Sequence, residues 1–233
     1  MGLATSAAEP EAAEATHGVA TVIQHHPSRA WLLPKLIERL APLSPTVVRD
    51  PRWNDLHWDA WRAYRNCLTQ ASHDGTHVLV IQDDVVPCHN FGKAVPLVLN
   101  AKPDQIVCFY VGGGAIGAPV IRAGNACAHW TVLPRHLWLP VVATAIPVPI
   151  VQDLLIWAQT DTHALKARSD DSVLGRYARQ RHHPIWATVP NLVQHPDKVT
   201  SLVRRRAAAG RDRHRVAACW IGDEDPLSID WGI

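Results

Sequence analysis

The hydrophobic pattern of the first third of the chain alternates between continuous apolar runs and apolar residues at helical spacing. It predicts, in chain order, a strand at residues 19–24, a helix at 31–40, a strand at 46–48, a helix at 58–71 and a strand at 76–82. Ser28 is expected to cap the first helix, and Pro42 to end it. The third strand is continuously apolar, as expected of a central strand buried on both faces. This order indicates a mostly parallel sheet, in which ligands bind at the carboxyl ends of the strands.

Composition favours one folded α/β domain. Of the 233 residues, 47% are apolar and 19% are charged, and the net charge of +2 does not by itself indicate nucleic-acid binding. We divide the chain into a disordered lead-in at residues 1–17, a domain at 18–203 and a C-terminal extension at 204–233 that is first basic and then acidic. The sequence has no apolar run long enough to span a membrane, no signal peptide and no paired cysteine spacing, so we expect a cytoplasmic protein with reduced thiols.

Two adjacent carboxylates, those of Asp83 and Asp84, follow the third predicted strand directly. Adjacent carboxylates repel each other, so a positive charge is expected beside them. Carboxylate oxygens suit Mg²⁺ or Mn²⁺, which in turn binds phosphate oxygens. The simpler alternative is a turn in which the two aspartates cap the following helix. The metal interpretation requires both carboxylates to face a cleft and not to be tied to arginines in a packed interior.

The segment Gln82-Asp83-Asp84-Val85, between an apolar strand and an apolar helix, resembles the DXD region of GT-A glycosyltransferases. Phage and actinobacterial enzymes are the types of this family that we consider. The resemblance implies a Rossmann-type α/β/α sandwich with a mostly parallel central sheet. It also implies that Asp84 is the main metal ligand, that Asp83 supports the metal and the donor, and that Gln82 contacts the donor.

The same resemblance assigns further donor contacts along the chain. His25 and Arg29 lie in the loop after the first strand, and Asp50 follows the second strand. Gly113 lies in a glycine triplet after a strand predicted at residues 106–111. Glycine at this position lets a sugar approach the backbone closely, because no Cβ is in the way.

Two features downstream complete the resemblance. Ser169 is expected to cap a helix that begins with Asp170 and Asp171, and the family resemblance implies that one of these acids is the catalytic base of an inverting enzyme. A strand at residues 185–189 precedes His195, in a segment similar to one that returns a histidine to the metal or the diphosphate. His195 is therefore expected to be a third metal ligand.

The resemblance implies a glycosyltransferase that uses Mn²⁺ or Mg²⁺ to move a sugar from a nucleoside-diphosphate sugar to a hydroxyl on a saccharide, a protein or a hydroxymethylated DNA base. The basic residues Arg204, Arg205, Arg206, Arg211, Arg213 and Arg215 could contact DNA phosphates, although a solvated surface is their commoner role. One alternative is a nucleotidyltransferase, which would need a Gly-rich loop after the first strand that residues 24–27 do not provide. The other is a non-catalytic module that binds carbohydrate or nucleic acid.

Overall fold

A mixed β-sheet organises the chain in the computed structural model, which describes residues 18–54, 59–134, 136, 139, 141–196 and 215–232. The strands are β1 Val19–His25, β2 Thr46–Arg49, β3 His77–Gln82, β4 Val86–Pro87, β5 Ile106–Cys108, β6 Trp130–Val132, β7 Ala143–Pro147, β8 Ile185–Thr188 and β9 Val193–Gln194. The α-helices are α1 Leu33–Leu40, α2 Ala60–Gln70, α3 Phe91–Asn100, α4 Ala118–Asn125, α5 Val148–Trp157 and α6 Asp170–Gln180. The predicted lead-in at residues 1–17 lies outside these described ranges.

Seven of these strands form one sheet in the order β2-β1-β3-β7-β5-β8-β6. Strand β1 is parallel to β2 and β3, and β5 is parallel to β8. Strand β7 is antiparallel to both β3 and β5, and β6 is antiparallel to β8. Strands β1, β2, β3, β5 and β8 therefore share one direction, and the sheet is mixed with a parallel majority. The remaining strands, β4 and β9, form a separate two-stranded sheet.

The strand β3 confirms the prediction of a central strand buried on both faces. Val78 and Val80 belong to one hydrophobic cluster, and Leu79 and Ile81 belong to the other. Successive side chains of a strand point to opposite faces, so this division separates the two sides of the sheet. Helices α2, α5 and α6 supply apolar residues to the first cluster, and α1 and α3 supply the second. The described residues thus form an α/β/α arrangement around the sheet.

The first helical segment differs from the prediction at its start. A 3₁₀ helix, Pro27–Leu32, precedes α1, and its N-cap is His26, whose side chain accepts a hydrogen bond from the Ser28 amide. Ser28 is therefore not the N-cap, because the fixed φ of Pro27 starts the turn one residue earlier. The capping prediction for α6 is confirmed, since the Ser169 side chain accepts from the amide of Ser172.

The strand β7 is not predicted by the local sequence pattern. All five of its residues, Ala143–Pro147, are buried, and it lies between β3 and β5. Its short Ala-Thr-Ala-Ile-Pro sequence lies between prolines, which favour turns over strands. Only the long-range pairing with two neighbouring strands identifies it as part of the sheet centre.

The end of the described chain packs against the domain. Ala217, Ile221 and Trp231 belong to the second hydrophobic cluster, and the Ala218 amide donates to the Val111 carbonyl at 2.8 Å. This part of the predicted C-terminal extension is therefore integrated with the core. The predicted boundary at residue 203 falls within residues 197–214, which lie outside the described ranges. None of the helices in the described ranges is long and apolar enough to span a membrane.

Candidate functional site

The predicted acidic pair lies at the carboxyl ends of two adjacent parallel strands, β1 and β3. The register pairs Gln24 with Gln82, and the Asp83 amide donates to the Gln24 carbonyl at 3.2 Å. The loop that follows β1 is thereby brought against the two residues that follow β3. This is the edge where the sequence predicted a ligand site.

The carboxylate of Asp83 is fully engaged by the loop after β1. Its Oδ2 atom lies 2.9 Å from His25 Nδ1 and accepts from the His26 amide at 2.7 Å. Its Oδ1 atom accepts from Arg29 Nη1 at 3.0 Å. Asp83 therefore holds the loop in place, and this geometry leaves neither oxygen exposed as a second metal ligand.

Arg29 connects the two carboxylates. It interrupts the 3₁₀ geometry of its segment, with φ −114° and ψ 16°, and it is the buried residue of that segment. Its second guanidinium nitrogen, Nη2, lies 2.9 Å from Asp84 Oδ2. Arg29 therefore binds the protein's own acids in this structure, and its predicted contact with donor phosphates would need this pairing to change.

The Oδ2 atom of Asp84 is the meeting point of three side chains. It lies 2.9 Å from Arg29 Nη2, 3.1 Å from His195 Nε2 and 3.3 Å from Arg215 Nη2. Burial alone would raise the pKa of Asp84, but the hydrogen bond with His195 and the charges of His195, Arg29 and Arg215 outweigh burial and lower this pKa to about 2. Asp84 is therefore a stable anion at neutral pH.

The other oxygen of Asp84, Oδ1, is buried and has no hydrogen-bond partner among the described residues. A buried charged oxygen without a partner is costly, by about 1–3 kcal/mol or more. Native sites with such an atom commonly hold an ion, a water or a ligand there. This oxygen is the feature of the site that most favours an additional cationic partner.

His195 is brought to Asp84 by the small sheet of β4 and β9. The antiparallel register pairs Val86 with Gln194, so the residue after β9 lies opposite the residues that precede β4. The ring of His195 is 2% exposed and packs at a tilt against Tyr110, with 6.3 Å between ring centroids. The structure thus brings together two residues that are 111 positions apart in sequence.

Arg215 is the residue of this site that the sequence analysis did not assign. It was grouped with the basic residues as a phosphate contact or a solvated arginine, but its guanidinium contacts both Asp84 Oδ2 and His195 Nε2. Tyr110 donates a hydrogen bond from its hydroxyl to the Arg215 carbonyl, and the Ala217 amide donates to Gln194 Oε1 at 2.7 Å. The other arginines of the basic cluster lie outside the described ranges. No local pattern around Arg215 indicates this pairing.

Asp170, the first residue of α6, is connected to the acidic motif through Gln82. Gln82 Nε2 donates to Asp170 Oδ2 at 3.3 Å. Burial, followed by the neighbouring charge of Asp171, raises the pKa of Asp170 to about 7 despite hydrogen bonds from backbone amides. Asp171 is half-buried and accepts a hydrogen bond from the Ser169 hydroxyl. Of the two predicted bases, Asp170 therefore lies against the acidic motif, and Asp171 contributes to the helix cap.

The remaining predicted donor contacts have structural partners. Both oxygens of Asp50 bind the Arg62 guanidinium, at 2.7 to 3.2 Å, which ties α2 to the end of β2. Gly113 lies next to Gly117, where an added Cβ would approach the Gly112 carbonyl oxygen to 2.5 Å. Gly117 thus allows its helix start to pack closely on the glycine triplet, and the sugar contact at Gly113 stays a prediction.

Some of these contacts argue against the predicted metal site, and one feature of Asp84 favours it. Both carboxylates pair with arginines, an arrangement that argues against the metal interpretation, and no group of three or more His, Cys, Asp or Glu residues in the described ranges could hold a metal ion. However, Asp84 Oδ1 has no hydrogen-bond partner within the part of the chain that the structure describes, and His195 Nε2 lies beside the same carboxylate. Two protein ligands are sufficient for Mg²⁺ or Mn²⁺ when phosphate oxygens and waters complete the shell. Asp83 and Asp84 nevertheless do not meet the requirement stated for the metal interpretation in this arrangement. A cation bound together with a diphosphate would need at least one arginine to leave the site, and it stays a prediction.

No protein-family model matches the chain, and no curated protein matches it in sequence.

Proposed function

We propose that the protein is a glycosyltransferase that moves a sugar from a nucleoside-diphosphate sugar to an acceptor hydroxyl, at the carboxyl edge of β1 and β3. The observation that carries the proposal is the buried Oδ1 atom of Asp84, which has no hydrogen-bond partner among the residues that the structure describes. The other oxygen of this carboxylate, Oδ2, lies 3.1 Å from His195 Nε2. The aspartates that follow the central strand β3 support the same location, because ligands of α/β proteins bind at the carboxyl ends of the strands.

In this proposal, Asp84 Oδ1 and His195 Nε2 hold the cation, Mn²⁺ or Mg²⁺. When bound, the cation supplies positive charge against the negative charge that grows on the departing diphosphate. Asp83 does not bind the cation but fixes His25, His26 and Arg29 in the loop after β1. That loop forms the wall on which the nucleotide would lie.

Asp170 is the proposed general base. The acceptor oxygen forms a bond to the anomeric carbon, its proton passes to the Asp170 carboxylate, and the bond to the diphosphate breaks with the electron pair leaving on the diphosphate. A base with a pKa near the working pH transfers protons most effectively, and burial places the pKa of Asp170 at about 7. Gln82, which donates to Asp170 Oδ2, orients this carboxylate.

A panel of nucleotide sugars tests the proposal. We expect one of UDP-, GDP-, ADP- or dTDP-sugars to raise the melting temperature of the protein with Mn²⁺ present but not with EDTA. Asp84→Asn, which keeps the shape of this buried side chain, should remove the metal-dependent shift and the sugar transfer. Asp153→Asn is the matched control, because Asp153 forms an exposed ion pair with Arg181 elsewhere.

A metal-dependent shift that persists undiminished in Asp84→Asn would contradict the assigned site. If no nucleotide sugar gives a metal-dependent shift, the non-catalytic alternative is favoured. In that case Arg29 and Arg215 would remain the partners of Asp84, and no cation would replace them. The acceptor class is resolved separately, by offering saccharides, proteins and hydroxymethylated duplex DNA to the protein with the donor that binds.

A further inference from the structure

We propose that Arg215 is a partner-exchanging residue, which binds Asp84 and His195 in the absence of the cation and the donor diphosphate once the cation is bound. The inference rests on the proposed function, and it adds a residue that the resemblance to glycosyltransferases did not assign.

The first step is competition for the same imidazole nitrogen, on the side chain that lies beside Asp84. The Nη2 atom of Arg215 lies 3.3 Å from Asp84 Oδ2 and also contacts His195 Nε2. These are the carboxylate and the imidazole nitrogen that would hold the cation. The imidazole nitrogen has one lone pair, which cannot both accept a hydrogen bond from arginine and bind a cation. Cation binding therefore requires the Arg215 guanidinium to leave.

The second step identifies which arginine leaves. The side chain of Arg29 is 10% exposed and is also bound to Asp83, whereas the side chain of Arg215 is 27% exposed. Arg215 is thus the more exposed of the two arginines that contact Asp84, and Arg29 is the more buried. Removing Arg215 from Asp84 returns a partly hydrated guanidinium to water, while removing Arg29 would leave two buried carboxylates short of a partner.

The third step concerns the main chain at Arg215, which is held in place by hydrogen bonds. The Arg215 carbonyl accepts from the Tyr110 hydroxyl, and the amides of Ala217 and Ala218 donate to Gln194 and Val111. These bonds do not involve the Arg215 side chain. The guanidinium can therefore change partners without loss of the backbone contacts that join this segment to the domain.

The fourth step is the destination of the side chain. A diphosphate that binds the cation comes from solvent, and Arg215 is the more exposed of the two arginines that contact Asp84. The planar guanidinium donates paired hydrogen bonds to phosphate oxygens, a geometry that an ammonium group does not offer. Arg215 thus exchanges one anionic partner, Asp84, for another, the donor diphosphate.

The test compares two affinities in Arg215→Gln and in wild-type protein. The affinity for Mn²⁺ alone is measured from the free-ion signal in electron paramagnetic resonance. The affinity for UDP, GDP, ADP and dTDP is then measured calorimetrically at saturating Mn²⁺. Arg181→Gln is the control, since it removes the same charge from an exposed pair with Asp153.

We expect opposite changes in the two affinities. Arg215→Gln should bind Mn²⁺ about tenfold more tightly, the effect of removing one competing charge-assisted hydrogen bond, and should bind the preferred diphosphate about tenfold more weakly. Mn²⁺ affinity equal to that of Arg181→Gln, or changes of both affinities in the same direction, would overturn the proposal while leaving the function standing. Wild-type protein that binds no diphosphate with Mn²⁺ would refute both.

Discussion

Replacement of Arg29 by methionine tests the electrostatic core of the site. The substitution removes a guanidinium that lies 3.0 Å from Asp83 Oδ1 and 2.9 Å from Asp84 Oδ2, and it keeps a similar side-chain length. Both carboxylates are only 2% exposed, so water cannot replace the lost partner. Asp83 retains His25 and the His26 amide, and Asp84 retains its other contacts, which limits the loss.

Breaking a buried ion pair by removing one partner costs about 3–5 kcal/mol. For a chain of this size, each kcal/mol lowers the melting temperature by about 2–4 °C, so we expect a decrease of roughly 6–20 °C. Differential scanning calorimetry at pH 7 without added metal measures this decrease. The additional substitution Asp83→Asn in the Arg29→Met background should recover part of the loss, because it removes the negative charge of one of the two carboxylates that lose Arg29.

Arg181→Met provides the comparison for an exposed pair. Arg181 and Asp153 are 45% and 44% exposed, and exposed pairs contribute about 0–1 kcal/mol. The melting temperature of this variant should fall by less than about 4 °C. Equal decreases for Arg29→Met and Arg181→Met would refute the view that Arg29 stabilises the two buried acids.

The remaining predictions concern Asp170 and the core. Because the folded protein raises the pKa of Asp170 from 3.8 to about 7, the folded state keeps a proton that the unfolded state loses. Stability should therefore fall as pH rises from about 4 to 7, by on the order of 4 kcal/mol at most, and Asp170→Asn should flatten this dependence in urea unfolding. If Asp170 is the base, transfer activity should rise through pH 7 in wild type and be lost in Asp170→Asn. Asp171→Asn should retain activity and shift this rise to lower pH, because it removes the neighbouring charge that helps to raise the pKa of Asp170. Leu79→Ala, at a fully buried position of β3, should cost about 2–5 kcal/mol in the same urea assay, while Leu165→Ala, at a 60% exposed position, should have little effect.

The local sequence pattern was sufficient to predict a strand with a continuous apolar run and a helix with a clear N-cap residue. The continuous run in β3 and the Ser169 cap of α6 were predicted because each signal lies within a few residues. The strand β7 was not predicted, because Ala143–Pro147 has weak strand character and becomes a strand through pairing with β3 and β5.

The candidate site was predicted in part for the same reason. Asp83 and Asp84 were identified by their position after β3, and His195 only through a family resemblance, since nothing local connects it to Asp84. Arg215 lies 131 positions from Asp84 in sequence. The residues around it include several other arginines, a pattern that predicts a basic surface and not a buried ion pair. A contact that depends on where two distant segments pack is not encoded in the pattern around either one.

The central claim, that a cation binds between Asp84 and His195 together with a diphosphate, is tested most directly by pulsed electron paramagnetic resonance of Mn²⁺. In the presence of the preferred nucleoside diphosphate, we expect hyperfine coupling to one imidazole nitrogen. This coupling should disappear in His195→Gln and remain in His25→Gln, whose ring lies against Asp83 instead. A spectrum without nitrogen coupling, or one in which the coupling survives in His195→Gln, would contradict the account.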